Sequence, residues 1–533
     1  MFAAEGVSYK NTNSFNPIVL DYLEGAATLL PFYSFTPNLA GIEQAINAKK
    51  NQPVNRVLLT QVLHEQYKDL PESSLVVQNI QSLLSVTTFT ICTAHQPNLF
   101  TGPLYFIYKI LHAIKLAEHL QKQFSDYRFV PVYYMGCEDA DLEELNHIYV
   151  DEKKYEWTTL QKGAVGRMFV DAKLVELIDE LHQQIGITTD GKAFIELLRQ
   201  CYTPGCQIKE ATLRLVHALF HTYGLIVIVP DDARLKAQMI PVFLNDLFEN
   251  KSSHLVAATS QQIGELYNAQ AYSRDINLFY LKDSMRERIE EKEGQFRVLN
   301  SAICFTPDEI RQEVRDHPER FSPNVILRGL YQETILPNVA FIGGGGELAY
   351  WLQLKHLFAA NSVAFPVLLL RNSFLIMDQR WKKRASILGL LPEELFLSET
   401  DQLNLLIARE GKEAKLNGEL KLLAEVYDSL KEKIAATHPT IRQHIEALKT
   451  NAVKRLSTVE EKLQRAERKK RVDSQAQLSA LKAGLFPGKN LQERVENVAV
   501  FYTKWGHDFI DALYENSPPF AEKLVILERT SET

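Results

Sequence analysis

Five short, almost uninterrupted apolar runs constrain this chain most: residues 86–93, 129–135, 225–229, 338–342 and 365–370. Polar or glycine-bearing turn residues follow each run, and in most cases a helical pattern comes next. A strand with one wet face alternates apolar and polar residues, whereas a strand covered on both faces reads as a continuous apolar run, as in parallel sheets. Between the first two runs, Ile107, Ile110, Leu111, Ile114, Leu116 and Ala117 recur at helical spacing and form one broad stripe. Strand, loop, helix, strand predicts a βαβ crossover, and the set of runs predicts an α/β fold with a Rossmann-like parallel sheet core.

The later connections are too long for simple crossovers. β-favouring tracts such as HIYV and YEWTTL within 146–170, and NLFYLKD and QFRVL within 251–300, read as small sheets inserted into the core. We therefore expect a core over residues 1–397 with insertions at about 146–224 and 240–325. Residues 398–484 differ in kind. Leu416, Leu420, Leu423, Tyr427, Leu430 and Ile434 recur at alternating spacings of four and three, as a coiled-coil seam requires. After Thr437-His438-Pro439-Thr440 the pattern resumes at Ile441, Ile445, Leu448, Ala452, Leu456, Val459, Leu463 and Ala466. This predicts a long antiparallel α-helical hairpin, its second helix running on the order of 65 Å at 1.5 Å per residue. Two such helices expose more apolar surface than one seam covers, so a dimer is expected. The basic run 465–471 reads as a solvated helix face. Gly484, Pro487 and Gly488 end the hairpin, and residues 485–533 are expected to pack back on the core.

Composition narrows the class. With 533 residues, a net charge of −7 and a pI near 6.1, the chain is disfavoured as an extended nucleic-acid surface. No apolar run approaches the roughly 18 to 20 residues of a membrane span, and the start has no basic region leading into an apolar stretch. A cytoplasmic protein without membrane contact is expected. Five cysteines make no disulfide framework, and the spacing of Cys201 and Cys206 indicates no zinc site.

Chemistry-bearing residues cluster after the strands, where open parallel sheets bind their ligands. After the first run, His95 and Gln96 would project into the crevice, with Thr101 and Gly102 at a helix start suited to anions. His95 could hydrogen-bond a phosphate, act as an acid, or simply cap the turn. After the second run come Glu138, Asp139, Asp141, Glu143 and Glu144. Carboxylates this close repel unless they meet a cation, an ammonium group or Mg²⁺, although an acidic first helical turn explains Glu143 and Glu144 as well. After the fourth run, Gly343, Gly344, Gly345 and Gly346 precede Glu347 and Tyr350. Glycines allow close backbone approach to a small anionic or sugar ligand, or to a packed helix; the dinucleotide fingerprint is not met. Asp231 follows the third run, while Arg328 with Gln332 and Arg371 with Ser373 suit a carboxylate. His217 and His221 have metal-compatible spacing but lack a third ligand, so they read as packing.

Four stretches taken together carry a resemblance: HQPNLFTGPLYFIYKI (95–110), GCEDADLEELNHIYV (136–150), FSPNVILRGLYQETILPNVAFIGGGGELAYWLQLK (321–355) and LFPGKNLQERVEN (485–497). In order and spacing, with the hairpin between the last two, they resemble the bacillithiol biosynthesis cysteine-adding enzymes over nearly the whole chain. The family's alanine–glycine–proline–glycine turn stands here as four glycines. His95 occupies a position where members also carry glutamine, which shifts weight to Gln96, Thr101, Gly102 and Tyr105.

The resemblance implies a Rossmann-like core with connecting-peptide insertions and a homodimer through the coiled coil. It implies a ligase that adds cysteine to glucosaminyl malate by an amide bond, in the last step of bacillithiol synthesis. ATP and Mg²⁺ are expected, because a free carboxylate does not condense with an amine in water unactivated; zinc is not. Catalytic roles would fall to His95, Gln96, Glu138, Asp139 and Asp141. Binding roles would fall to Thr101, Gly102, Tyr105, Lys109, Asn146, Asp231, Arg328, Gln332, the four glycines, Glu347, Tyr350, Arg371 and Ser373. Two other classes compete: a nucleotidyltransferase or aminoacyl-tRNA-synthetase-like adenylating enzyme, for which paired HxGH and KMSKS-type motifs are missing, and a non-catalytic coiled-coil scaffold. Polar clusters after several strands have no use in a scaffold.

Overall fold

The computed structural model describes residues 2–409, 416–435, 439–469, 471–520 and 522–530. Its centre is a five-stranded sheet of β1 (Thr88–His95), β2 (Arg128–Met135), β3 (Ile226–Ile228), β4 (Asn338–Gly343) and β5 (Val367–Leu370). The spatial order is β3-β2-β1-β4-β5, and every neighbouring pair is parallel. This is the Rossmann-like core. Chain order reverses between β1 and β4, the switch point at which two crossovers leave in opposite directions and open a crevice at the strand ends.

The apolar runs are continuous because both faces of the sheet are covered. On one face Phe89, Ile91, Val339, Ile342 and Leu369 pack with Leu116 and Leu120. On the other, Cys92, Val130, Val132, Phe341 and Leu368 join the largest apolar cluster. α1 (Tyr105–Gln123) makes the crossover from β1 to β2. Its buried surface is wider than the predicted stripe, because Tyr108, Lys109 and His112 are buried as well. Each fully buried Ile or Leu on it contributes about 1.5–3 kcal/mol. At the opposite end of the sheet, Lys49 donates to the Glu333 carbonyl at 2.9 Å and pairs with its carboxylate at 3.5 Å. Gln332 and Asn338 donate to Oε1 of the same carboxylate at 2.9 and 2.7 Å, while its Oε2 is buried without a hydrogen-bond partner, and burial raises the carboxyl's pKa although Lys49 opposes it.

Two insertions build outward from this core. Between β2 and β3 lie an antiparallel ribbon (His147–Val150 with Lys153–Glu156) and helices that include α2 (Ala172–Ile185) and α3 (Thr189–Cys201). Between β3 and β4, four antiparallel strands (Leu278–Lys282, Met285–Lys292, Gln295–Val298, Cys304–Phe305) and Phe321–Pro323 make a second five-stranded sheet. A third sheet is absent from the sequence reading: Phe2–Ser8 pairs antiparallel with Lys523–Arg529, which lies parallel to Phe374–Met377.

In the C-terminal coiled coil, α4 (Asn417–Ala435) packs on α5 (Pro439–Lys469), tied by Lys449 to Asp428 at 2.7 Å and by Lys431 to Glu446. Thr437 and His438 of the expected turn lie outside the described residues; Pro439 opens α5, where its missing N–H costs nothing. The second helix is not continuous to residue 483 as expected. α5 ends at Lys469, Arg471 has φ −118° and ψ 48°, and α6 (Val472–Leu485) follows. The break coincides with the basic run, where like charges three and four apart weaken a helix.

Candidate active site

A cavity of about 620 Å³ opens at the carboxyl ends of β1, β2 and β4, directly over the switch point. The core supplies His95, Gln96, Tyr105, Lys109, Gly136, Asp139, Glu144, Arg328, Gly344, Gly345, Gly346, Glu347, Tyr350 and Arg371. The second insertion roofs it with Tyr272, Arg274, Phe279 and Arg286, and Arg494 reaches in from beyond the coiled coil.

His95 is the last residue of β1. Its carbonyl accepts from the Gly136 N–H at 2.8 Å and the Tyr133 hydroxyl at 3.0 Å, which fixes the strand end. Its ring lies edge-on to Tyr105, with centroids 5.2 Å apart, and its buried Nε2 has no hydrogen-bond partner. Burial, then the charges of Lys109 and Arg371, hold the imidazole well below its ordinary pKa. The ring is therefore neutral near pH 7. An acid role drawn from a resident imidazolium does not fit this environment, whereas a neutral donor or acceptor does.

Asp139 is the hub of the acidic loop. Its Oδ2 accepts from Arg328 at 3.3 Å and Gln96 at 3.4 Å, and its Oδ1 accepts from the Ala140 N–H at 2.9 Å. Burial raises its pKa, but Arg328 and Arg286 outweigh burial and hold the carboxyl below its usual range. Glu138 and Asp141 point elsewhere, so the three acids expected to bind one cation do not converge on it. Glu138 turns into the interior and pairs with Lys236. Asp141 caps the short helix Leu142–Leu145, accepting from Glu144 N–H at 3.3 Å. Glu144, which sequence reasoning assigned to a helical turn, faces the cavity; burial and then Asp139 and Asp141 raise its pKa.

Across the switch point, Lys109 donates to the Ala94 carbonyl at 2.9 Å and pairs with Glu347. Glu347 in turn accepts from the Gly344 N–H at 2.8 Å, so one ion pair ties α1 to the glycine turn after β4. An added Cβ on Gly346 would meet nothing within 4 Å, which leaves its backbone open to a ligand.

Several expected binding residues lie outside the cavity. Phe100, Thr101 and Gly102 take consecutive positive φ values of 47°, 75° and 64°, so this segment forms a left-handed loop and α1 starts later, at Tyr105. Thr101 is buried in that loop and Gly102 packs on Asn98, so neither stands at a helix start facing an anion. Asn146 bonds the Trp157 carbonyl at 3.2 Å. Asp231 is held by Arg167 at 2.6 and 2.7 Å and Lys209 at 3.1 Å, in an interior ionic cluster with Lys236 and Glu138. Gln332 serves Glu333 at the far end of the sheet. Gly343 closes β4 against Phe341 and Leu348, and Ser373 donates to Glu493 at 3.2 Å. His217 donates from Nε2 to the Pro71 carbonyl at 2.9 Å.

Sequence reasoning missed Arg274, Arg286, Tyr272 and Arg494. Arg286 is held by Ser322 at 3.0 Å and stacks on Phe279. Burial and the nearby Arg328 pull it down to about 10. With these residues the lining carries six cationic side chains against three carboxylates, a surplus that selects anionic ligands. Among the described residues no group of three or more His, Cys, Asp or Glu side chains is arranged to hold a metal ion.

Comparison with known proteins agrees over the full length. The model for "Bacillithiol biosynthesis BshC, N-terminal Rossmann-like domain" matches residues 2–372, and that for "Bacillithiol biosynthesis BshC, C-terminal coiled-coil domain" matches residues 374–529. A protein of Cytophaga hutchinsonii named "Putative cysteine ligase BshC" is 38% identical over 520 residues, covering 97% of both chains. A protein of the same name from Christiangramia forsetii is 37% identical over 529 residues, covering 98% of both. A solved structure titled as a putative arginyl tRNA synthetase from Campylobacter jejuni covers 88% of this chain and 100% of that one, with a TM-score of 0.25 and 10% identity, too distant to bear on function. Two family models spanning nearly every residue, with relatives of matching length, place this chain in the bacillithiol biosynthesis BshC family.

Proposed function

We propose that the chain is the ligase that joins the carboxylate of cysteine to the amine of glucosaminyl malate, with an amide as product. The observation that carries this reading is the switch-point cavity, whose cationic surplus surrounds a small set of held carboxylates. Malate contributes two carboxylates, and Arg328 and Arg371 offer guanidinium groups to them. Asp139, already oriented by Gln96 and Arg328, offers its negative charge to a substrate ammonium group. An amine attacks only as the free base, and Glu144, with its raised pKa, is the carboxylate suited to take its proton. The neutral, unpartnered His95 Nε2 is available to a substrate oxygen or hydroxyl.

ATP with Mg²⁺ supplies the activation such a condensation needs, by making the cysteine carboxylate a better acceptor. The lining fits the nucleotide's phosphates: the open backbone at Gly346 and the side chains of Arg274 and Arg286 would hold them. We place the work in the cytoplasm; no described helix is long and apolar enough to cross a membrane. Pairing of two copies through the coiled coil belongs to the same proposal, supported by Leu448, Val459 and Leu463, which stay 43%, 46% and 43% exposed.

The test is mass spectrometry of purified protein incubated with cysteine and glucosaminyl malate, with and without ATP and Mg²⁺. The cysteinyl amide, smaller than its two substrates by one water, should accumulate only with ATP. Folded protein that makes no amide under any of these conditions overturns the reading.

A further inference from the structure

Arg494 is, among the described residues, the one cavity-lining side chain that comes from the coiled-coil unit matched at residues 374–529. Its surroundings are unusually constrained for a surface residue. Gln492 bonds both backbone groups of Ile376, accepting at 2.9 Å and donating at 3.2 Å. Glu493 accepts from Arg371 at 2.6 Å and from the Phe374 N–H at 3.3 Å. Asn497 donates to the carbonyls of Phe100 at 2.9 Å and Gly102 at 2.6 Å. These three flanking residues are buried, while Arg494 between them is exposed at the cavity mouth and makes no ion pair among the described residues.

Docking of the two units accounts for the buried anchors. It gives no reason for an unpaired arginine among them. A guanidinium with both sides of its backbone pinned loses less freedom on gripping a ligand, and its planar fork matches a carboxylate. Arg371, 5.2 Å from the centre of the Tyr105 ring, lines the same cavity. Burial pushes the Tyr105 hydroxyl up to about 12, and the charges of Arg371 and Arg494 both oppose that rise, so both arginines act on the same lining residue.

We infer that Arg494 binds a carboxylate of the malate moiety, so that the coiled-coil unit completes the substrate site of the Rossmann-like core. The inference rests on the ligase reading for the identity of the anion. Titration calorimetry of the full-length protein tests it without requiring turnover. The probes are glucosaminyl malate and benzyl glucosaminide, which keeps the amine but lacks both carboxylates, against wild type, Arg494→Ala and Arg494→Lys. Arg494→Ala should weaken glucosaminyl malate about 10- to 100-fold, the scale of a lost charge-assisted hydrogen bond, and leave the carboxylate-free glucosaminide and the melting temperature unchanged. Arg494→Lys should fall between, because it keeps the charge and loses the fork. If Arg494→Ala melts early, the comparison rests on Arg494→Lys. Wild-type affinity in Arg494→Ala, an equal loss for both probes, or no binding of glucosaminyl malate to wild type overturns the inference. Binding without amide formation would sink the ligase reading and leave this one standing; amide formation with unchanged Arg494→Ala affinity would do the reverse.

Discussion

The Arg371 guanidinium donates to the Glu493 carboxylate at 2.6 Å, across 122 residues of chain and the whole coiled coil between them. Both side chains are almost fully buried, at 5% and 1% exposure. Arg371 leaves β5 and faces the cavity, while Glu493 follows the coiled coil. One ion pair therefore fastens the two units at the edge of the site, with Ser373 and the Phe374 N–H on the same carboxylate.

Breaking this pair from one side should cost more than the pair contributes. Glu493→Ala leaves the Arg371 charge buried without its partner, a change worth about 3–5 kcal/mol in comparable interiors. Urea unfolding should show that loss, and Glu493→Gln, which keeps the shape and part of the hydrogen bonding, should lose less. Equal stability of wild type and Glu493→Ala would mean that water reaches Arg371.

Asp139 and Glu138 are adjacent in sequence and serve different ends. Asp139→Asn should raise KM for the amine substrate by about 10- to 100-fold, the cost of one charge-assisted contact, with little change in melting temperature. Glu138→Gln removes the Lys236 partner from a buried cluster and should lower the melting temperature. Kinetics and melting of the two variants side by side check this; reversed effects would reassign the loop.

Gly102 has φ 64° and ψ −148°, a region in which only glycine is at ease. An added Cβ would also meet the Asn98 Cβ at 2.7 Å. Gly102→Ala should destabilise the fold by about 1–3 kcal/mol and displace the start of α1, which carries Tyr105 and Lys109 into the cavity. Loss of turnover accompanied by a lower melting temperature is the expected result. An unaffected enzyme would show that the loop is not what places α1.

Much of this layout could be read from residues alone, and the reasons it could are local. β1, β2 and β4 announce themselves because burial on both faces leaves no polar alternation, and the crevice rule then points to His95, Asp139 and the glycine turn. Phe2–Ser8 carries no such signal, since only Val7 is buried and its partner strand lies at the opposite end of the chain. Arg274 and Arg286 reach the cavity only because an insertion folds over the crevice, a long-range event that leaves no mark on spacing. The acidic loop shows the complementary limit: composition identifies five carboxylates, but which of two neighbours faces the ligand depends on Arg328 and Lys236, 189 residues away from Asp139 in the first case. Thr101 and Gly102 leave the helix start for a similar reason, because the turn that displaces them is held by Asn497, almost 400 residues away in the chain.

His112 gives the pH dependence its sharpest test. The Asn372 N–H can only donate, so Nδ1 accepts it at 3.3 Å, and the Pro519 carbonyl can only accept, so Nε2–H donates to it at 2.9 Å. This fixes the neutral tautomer, and burial lowers the folded-state pKa to about 4 although the Pro519 bond opposes it. The unfolded imidazole titrates near 6.5, so between about pH 6.5 and 4 the unfolded chain binds a proton that the folded chain does not. Stability from this group is whole above 6.5 and falls as pH drops through that window, by on the order of 3 kcal/mol in all. His95, also held below its ordinary value, acts with the same sign. Urea unfolding at a series of pH values should show this acid-side slope, and His112→Gln should flatten part of it while starting from a lower stability at pH 7. A slope unchanged in His112→Gln would mean that the acid sensitivity arises from other groups, carboxylates such as Asp139 first among them.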